Sequence, residues 1–240
     1  MKKIIKKTIR LILSPFILKD YFVYKKIDKE KRFKINLKDF YPQIKDKTIK
    51  TGFDTHYVYH TSWAARKVKE INPIKHIDIS SSLYFCGIVS AFVPVDFYDY
   101  RPADLKLSNL QSKEGDLHNL PFESNTIKSI SCMHTIEHIG LGRYGDPIDS
   151  NGDIKAINEL KRVVVKDGSL LFVTPVGKPK IEFNAHRIYS YEQIVSYFDG
   201  FELKEFTLIT DKGDFIENAD KNLVKEQKYG CGCFWFVKKK

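Results

Sequence analysis

The sequence predicts an α/β fold with a doubly wound, mainly parallel sheet, on three observations. Short apolar strands alternate with amphipathic helical segments, and acids stand near the ends of the first two strands. The stretch "HIDISSSLYF", His76 to Phe85, runs from a strand through small residues straight into a new apolar segment. That last pattern opens nucleotide-binding folds, with serines here where such turns usually have glycine.

The elements follow from periodicity and breakers. Asp54 is placed to cap a helix through "THYVYHTSWAARKVKEIN", where Tyr57, Ala64, Val68 and Ile71 recur at helical spacing until Pro73 stops it. Strands are expected at His76 to Ser80, Val93 to Tyr98, Ile127 to Met133, Leu170 to Thr174, Phe201 to Ile209 and Cys233 to Val237. Helices are expected at Leu83 to Phe92, Ile154 to Val164 and Tyr191 to Phe198. The segment "DKGDFIENADKNLVKEQKYG" is too polar for a good crossover helix, so an antiparallel strand at the sheet edge is expected. With no repeat and no low-complexity linker, the chain reads as one domain over 51–240, preceded by an arm and connector over 1–50.

Charge is concentrated in that arm. The first 34 residues hold 12 Lys and Arg against 3 Asp and Glu, whereas the remaining 206 carry 28 against 27. A nucleic-acid-binding face on the main domain would need its own basic excess, so nucleic acid is disfavoured as a partner. Ile4, Ile5, Ile9, Ile12 and Leu13 fall near one helical stripe, with Lys2, Lys3, Lys6, Lys7 and Arg10 largely around it. The apolar run Leu11 to Leu18 contains Ser14 and Pro15 and is far shorter than the ~20 residues that span a bilayer. A signal peptide is also unexpected, because Arg10 interrupts the apolar region of the arm and no small-x-small cleavage site follows. The arm therefore reads as an anchor lying on an anionic membrane surface through residues 1–20, on the cytoplasmic, inner face. Cys86, Cys132, Cys231 and Cys233 sit in or beside apolar runs and read as buried thiols; the Cys231-Gly-Cys233 spacing is not that of a zinc knuckle.

In such a sheet, ligands bind outside the carboxyl ends of the strands, where Asp78, Asp99 and Asp116 fall. An acid at the end of the second strand is placed to accept hydrogen bonds from ribose hydroxyls. The block "GDLHNLPFESNTIKSISCMHTIEHIG" followed by "AINELKRVVVKDGSLLFVTPVG" resembles the class I S-adenosylmethionine-dependent methyltransferases, and "HRIYSYEQIVSYFDGFELKEF" looks like the helix and strand that follow there. The runs "FDTHYVYHTSWAARK", "FYDYRPADL", "EHIGLGRYGDP" and "FNAHRIYS" are closer still to a bacterial family of methyltransferase-like proteins associated with surface-polysaccharide genes. The resemblance covers roughly Gly52 to Asp211 and implies a seven-stranded, Rossmann-like sheet. It further implies that Asp78 and the turn Ser80, Ser81, Ser82 face the methionine part of S-adenosylmethionine. Asp99 would hold the ribose, and Asp116 with the backbone of Leu117 would read the adenine.

Chemistry is expected just after the strand Ile127 to Met133, where the chain reads His134-Thr-Ile-Glu137-His138. On a helix these three side chains share one face, and three readings stay open. Glu137-His138 is structural; or His138 or His134 is a general base for a hydroxyl; or His134, Glu137, His138 and His186 hold a divalent metal, by similarity to metal-dependent RNA 2′-O-methyltransferases. Arg143, Tyr144, His186 and Arg187 are expected to bind substrate from the loops "GRYGDP" and "NAHRIYS". The expected function is O-methylation of a sugar or glycan intermediate, lipid-linked given the arm. The alternatives are a non-catalytic partner in a glycan assembly complex and an RNA 2′-O-methyltransferase.

Overall fold

The structure, a computed structural model, describes residues 15–44 and 46–239, so the expected stripe Ile4 to Leu13 lies outside the described residues. The chain divides into two compact units between Phe53 and Asp54. The first contains helix α1 (Pro15–Ile27), which buries none of its residues, and a short 3-10 turn at Leu37–Asp39. Among the described residues no helix is long and apolar enough to cross a membrane.

The second unit opens with α2 (Thr55–Ile71), capped as expected: the Asp54 side chain accepts from Tyr57 N at 3.0 Å, and Asn72 closes the helix in the left-handed region. There follow β1 (His76–Ile79), α3 (Leu83–Val89), β2 (Val95–Asp99), β3 (Leu110–Glu114), β4 (Ile127–Met133) and α4 (Gly152–Val163). Next come β5 (Val164–Val176), the hairpin β6 (Lys180–Glu182) and β7 (His186–Ile188), and α5 (Tyr191–Tyr197). The unit ends in β8 (Phe201–Ile209), β9 (Phe215–Ile216) and β10 (Gly230–Lys238). The main sheet has the order β3-β2-β1-β4-β5-β10-β8-β9, eight strands where seven were expected. The additions to the reading are β3, whose polar sequence LQSKE suits a sheet edge, and the two-residue β9. The first five strands of the order are parallel. The last strand in sequence is antiparallel as expected, but it lies between β5 and β8, and β9 forms that edge.

Side-chain alternation builds the two layers. Along β5, Leu170 and Phe172 join one core with Ile157, Leu160, Ile194 and Phe198, while Leu171 and Val173 join the other with Trp63, Val68, Phe85 and Val89. β10 does the same, with Phe234 and Phe236 on the first face and Cys231, Cys233 and Trp235 on the second. Helices thus cover both faces, which is why these strands are apolar on both sides.

A polar chain lies buried within the second face. His76 Nδ1 meets Ser129 Oγ at 2.8 Å, His76 Nε2 meets Ser131 Oγ at 2.9 Å, and the Ser131 hydroxyl donates to Asp78 Oδ2. His76 and Asp78 are both fully buried. Burial holds the His76 imidazole down, to about 3, and raises the Asp78 carboxyl to about 6 against the bonds from Ser131 and Ser81. Below pH 6.5 unfolded His76 takes up a proton that the folded residue refuses, so acidification destabilises. Folded Asp78 takes up a proton below about pH 6 that the unfolded carboxylate refuses until about 3.8, so acidification stabilises by a similar amount. Between roughly pH 4 and 6 the two cancel. Asp78→Asn removes the compensation, and its unfolding free energy is expected to fall by about 1.4 kcal/mol per pH unit more steeply than that of the parent over this window. Urea titrations at pH 6, 5 and 4 check this, and parallel slopes would refute it.

Candidate active site

The turn after β1 is built by serines in place of glycine. Ser80 adopts φ 54°, the left-handed region that glycine normally supplies, while its N–H donates to Tyr98 O at 2.8 Å. Thr135 Oγ1 donates to Ser80 O at 3.0 Å, Ser81 N donates to Asp78 Oδ1 at 3.0 Å, and Met133 N donates to Ser81 Oγ at 3.0 Å. The turn is thereby tied to the ends of β2 and β4. Asp78 and Ser81 are buried beneath it, which corrects the expectation that they face a ligand; Asp78 directs its carboxylate into the protein as the anchor of the turn. Ser82 stands at the start of α3 and makes no side-chain cap bond.

At the carboxyl ends of β1, β2 and β4 lies a cavity of about 350 Å³, within the range of small-molecule sites. Ser80, Asp99, Asp116 and Leu117 line one part, and His134, Thr135, His138 and Tyr144 another. Tyr100, Arg101, Gly115, His118, Ile139, Asp146 and Pro147 complete the wall. Of these, Tyr100 and Arg101 were missed by sequence reasoning, although they directly follow the acid that ends β2. Asp99 Oδ1 accepts from Arg101 N at 2.8 Å, and Asp116 Oδ1 accepts from His118 N at 2.8 Å, so each carboxylate is oriented by its own turn. A larger groove of about 580 Å³ between α2 and α3 shares no lining residue with this cavity; its wall contains Ala65, Phe85, Ile88 and Phe92 and no acid.

At the end of β4 the chain turns through His134 at φ 53° into a 3-10 turn, Ile136–His138, not the helix that was expected. Glu137 is buried, and its Oε1 accepts from His134 Nδ1 at 2.9 Å. His134 Nε2 lies 3.4 Å from Cys231 Sγ on β10. Burial alone would lower the His134 pKa, but Cys231 and Glu137 against the ring raise it, to about 10. Around it pack the rings of Tyr57, His60 and His56, with centroids at 5.7, 4.9 and 5.9 Å. The ligand atoms of His56, His134 and Cys231 all lie within 4.8 Å of one another, the group among the described residues with metal-ligand convergence. The expected set of His134, Glu137, His138 and His186 does not converge in this way. Glu137 gives Oε1 to His134 while its Oε2 is buried without a hydrogen-bond partner, and the His138 and His186 rings stand 6.5 Å apart.

His138 donates from Nδ1 to Ala185 O at 2.6 Å, which leaves the Nε2 lone pair on the other side of the ring. Burial holds its pKa below the ordinary value despite Glu137 nearby, so it is neutral at pH 7. Arg143 Nη1 donates to the same carbonyl at 3.0 Å and stacks on Tyr144 at 5.1 Å. Arg187 is buried, 3.6 Å from Asp153 and donating to Ile139 O at 2.6 Å; it braces the loop and does not line the cavity, contrary to expectation. His186 packs on Tyr229 at 4.8 Å. The loop itself closes on Asp146, whose Oδ2 accepts from Gly140 N at 2.7 Å and Gly142 N at 3.3 Å. A side chain at Gly140, φ 80°, would meet Asp149 O at 2.1 Å.

Comparisons with known proteins bear on this geometry. Residues 106–231 match the family described as "Caenorhabditis protein of unknown function, DUF268". The chain belongs to that family. No curated protein matches it. Among solved structures, the N-methyltransferase NodS from Bradyrhizobium japonicum, in complex with S-adenosyl-l-homocysteine, is similar at 10% identity and TM-score 0.54, over 78% of this chain and 88% of that one. A TehB-like SAM-dependent methyltransferase from Corynebacterium glutamicum is similar at 17% and 0.50, over 76% and 89%. The YcgJ protein from Bacillus subtilis is similar at 12% and 0.53, over 76% and 99%. At these identities the likeness is one of fold: a mostly parallel α/β sheet shared with class I methyltransferases.

The left-handed Ser80 gives a direct test of the turn. Ser80→Gly is expected to raise stability by roughly 1 kcal/mol by relieving that conformation, and Ser80→Val to lower it by more. Urea midpoints check both, and a Val variant as stable as the parent would show that the turn tolerates another backbone conformation.

Proposed function

We propose that the cavity binds S-adenosylmethionine and that the protein is a methyltransferase acting on a hydroxyl of a sugar or glycan intermediate. The observation that carries the reading is the convergence of Asp99 and Asp116 on one cavity beside Ser80, in the glycine conformation, at the carboxyl ends of a parallel sheet. The residues fit the group: Asp99 is positioned to accept from ribose hydroxyls, and Asp116 with Leu117 to border the adenine. The fold shared with NodS and the TehB-like enzyme supports the same assignment. When bound, the cofactor supplies a methyl group already activated on a sulfonium. The chain has to orient an acceptor, exclude water and take up a proton. His138 suits the last task, being neutral, at the cavity wall, and held in one tautomer by Ala185 O. Tyr100, Arg101, Tyr144 and Asp146 offer rings and hydrogen-bonding groups of the kind that recognise a polyol.

We further assign the basic arm to an anionic membrane surface, where a lipid-linked acceptor would be met. Helix α1 supports this: it exposes Phe16, Phe22, Val23, Tyr24 and Ile27 together with Lys19, Lys25 and Lys26. Each cation near such a surface contributes about 1 kcal/mol.

Calorimetry tests the cofactor reading. S-adenosylhomocysteine is expected to bind the parent and to bind Asp99→Ala at least tenfold more weakly; no binding by the folded parent would make a non-catalytic partner the better account. His138→Ala is expected to retain that binding and to lose 10²-fold or more in turnover, the usual scale of general-base removal. Full turnover would return His138 to a structural role. Removal of residues 1–27 is expected to abolish cosedimentation with phosphatidylserine-containing vesicles, and undiminished sedimentation would sink the membrane assignment.

A further inference from the structure

We propose that His56, His134 and Cys231 form a binding site for a borderline-soft divalent metal ion of the zinc type, with three protein ligands and one position open. The site stands whether or not the cavity takes S-adenosylmethionine.

Geometry is the first argument. A tetrahedral ion with bonds of about 2.0–2.1 Å to nitrogen and 2.3 Å to sulfur sets its N and S ligands about 3.5 Å apart. His134 Nε2 and Cys231 Sγ are 3.4 Å apart, and a side-chain rotation of His56 brings in the third atom from within 4.8 Å. The His56 and His134 rings lie nearly parallel, at 13°, and Tyr229 stacks on the outer side of His56 at 5.4 Å.

The second argument is orientation. Glu137 accepts the Nδ1 proton of His134 at 2.9 Å, which fixes the ring so that Nε2 faces the sulfur, where a bound ion would take the place of a proton. A buried carboxylate behind a histidine in this way is the usual support of a ligating imidazole. Glu137 is thus a positioning residue for the ion and not one of its ligands, the role that sequence spacing suggested.

The third is an excess of lone pairs. His60 donates from Nδ1 to His56 O at 2.6 Å, so Nε2 carries a lone pair; it is buried without a hydrogen-bond partner, on a ring 4.9 Å from that of His134. A thiol and imidazole hydrogen bond by itself would account for neither His56 nor the left-handed backbone at His134, a conformation that costs of order 1 kcal/mol and collects at ligand sites. One sulfur and two nitrogens favour zinc over magnesium or calcium, which prefer oxygen. His134 also lines the cavity, so the site adjoins it.

Cobalt substitution tests the assignment. Full-length, untagged protein, stripped with chelator, is titrated with Co²⁺. One equivalent is expected to bind and to give a thiolate-to-cobalt charge-transfer band that Zn²⁺ then displaces. Cys231→Ser should abolish the band, Cys233→Ser should keep it, and His56→Ala, on a partly exposed helix turn, should weaken Co²⁺ binding at least tenfold. Absence of saturable one-equivalent binding, a band that survives Cys231→Ser, or unchanged affinity in His56→Ala would each overturn the site.

Discussion

The carboxylate of Asp78 fixes the relative height of β1 and β4, and the whole carboxyl edge of the sheet depends on it. From the turn after β1 it receives the Ser81 N–H, from β4 the Ser131 hydroxyl, and through Ser131 it is joined to His76 and Ser129. Every member of this chain is buried, so a slip of one strand against the other would leave several polar groups without partners at about 1–3 kcal/mol each. With the strands locked, Ser81 Oγ meets Met133 N and Thr135 Oγ1 meets Ser80 O, and the floor of the cavity becomes rigid. A serine in the left-handed conformation is tolerated there because its N–H bonds to Tyr98 O, its carbonyl accepts from Thr135 Oγ1, and its neighbour Ser81 is tied to Asp78 and Met133.

Above this floor the cavity has two chemically different halves. Asp99 and Asp116 present carboxylates, each held by the N–H groups of its own turn, to whatever polar ligand enters. The other half is aromatic and imidazole-rich, with burial keeping His138 neutral and Cys231 and Glu137 acting on His134. The hairpin of β6 and β7 roofs this second half through Ala185 O, and Arg187 with Asp153 anchors the hairpin to the body. The arginines are therefore distributed unequally: Arg101, which the sequence reading missed, lines the cavity, whereas the expected Arg143 and Arg187 are engaged in holding loops.

Much of the fold was legible because period-two and period-3.6 patterns were strong: β4 and β8 have the expected bounds, and the Asp54 cap and Asn72-Pro73 stop frame α2. β3 escaped because an edge strand with a solvated side has no apolar run to betray it. The position of β10 was misjudged because pairing is a matter of topology, and an apolar segment reads the same in an inner or an edge position. In the site, Asp99 and Asp116 were legible because strand-end acids keep their place relative to the sheet. The partners of His134 were not: one comes from the first turn of α2 and another from β10, and no local spacing records that proximity. Asp78 and Arg187 misled for the opposite reason, since charge in a sequence suggests exposure and both are buried, Asp78 among the donors of its turn and β4 and Arg187 against Asp153 and Ile139 O.

The insertion of β10 between β5 and β8 also orders events in time. A growing chain on the ribosome completes β5, α5 and β8 before the strand that must separate β5 from β8 has been made. Until then β5 presents an unpaired edge of apolar residues, and the imidazoles around His134 lack the sulfur of Cys231. Translation thus leaves the middle of the sheet to be filled by its final strand, and a nascent chain stalled short of it has neither a closed sheet nor a completed cluster.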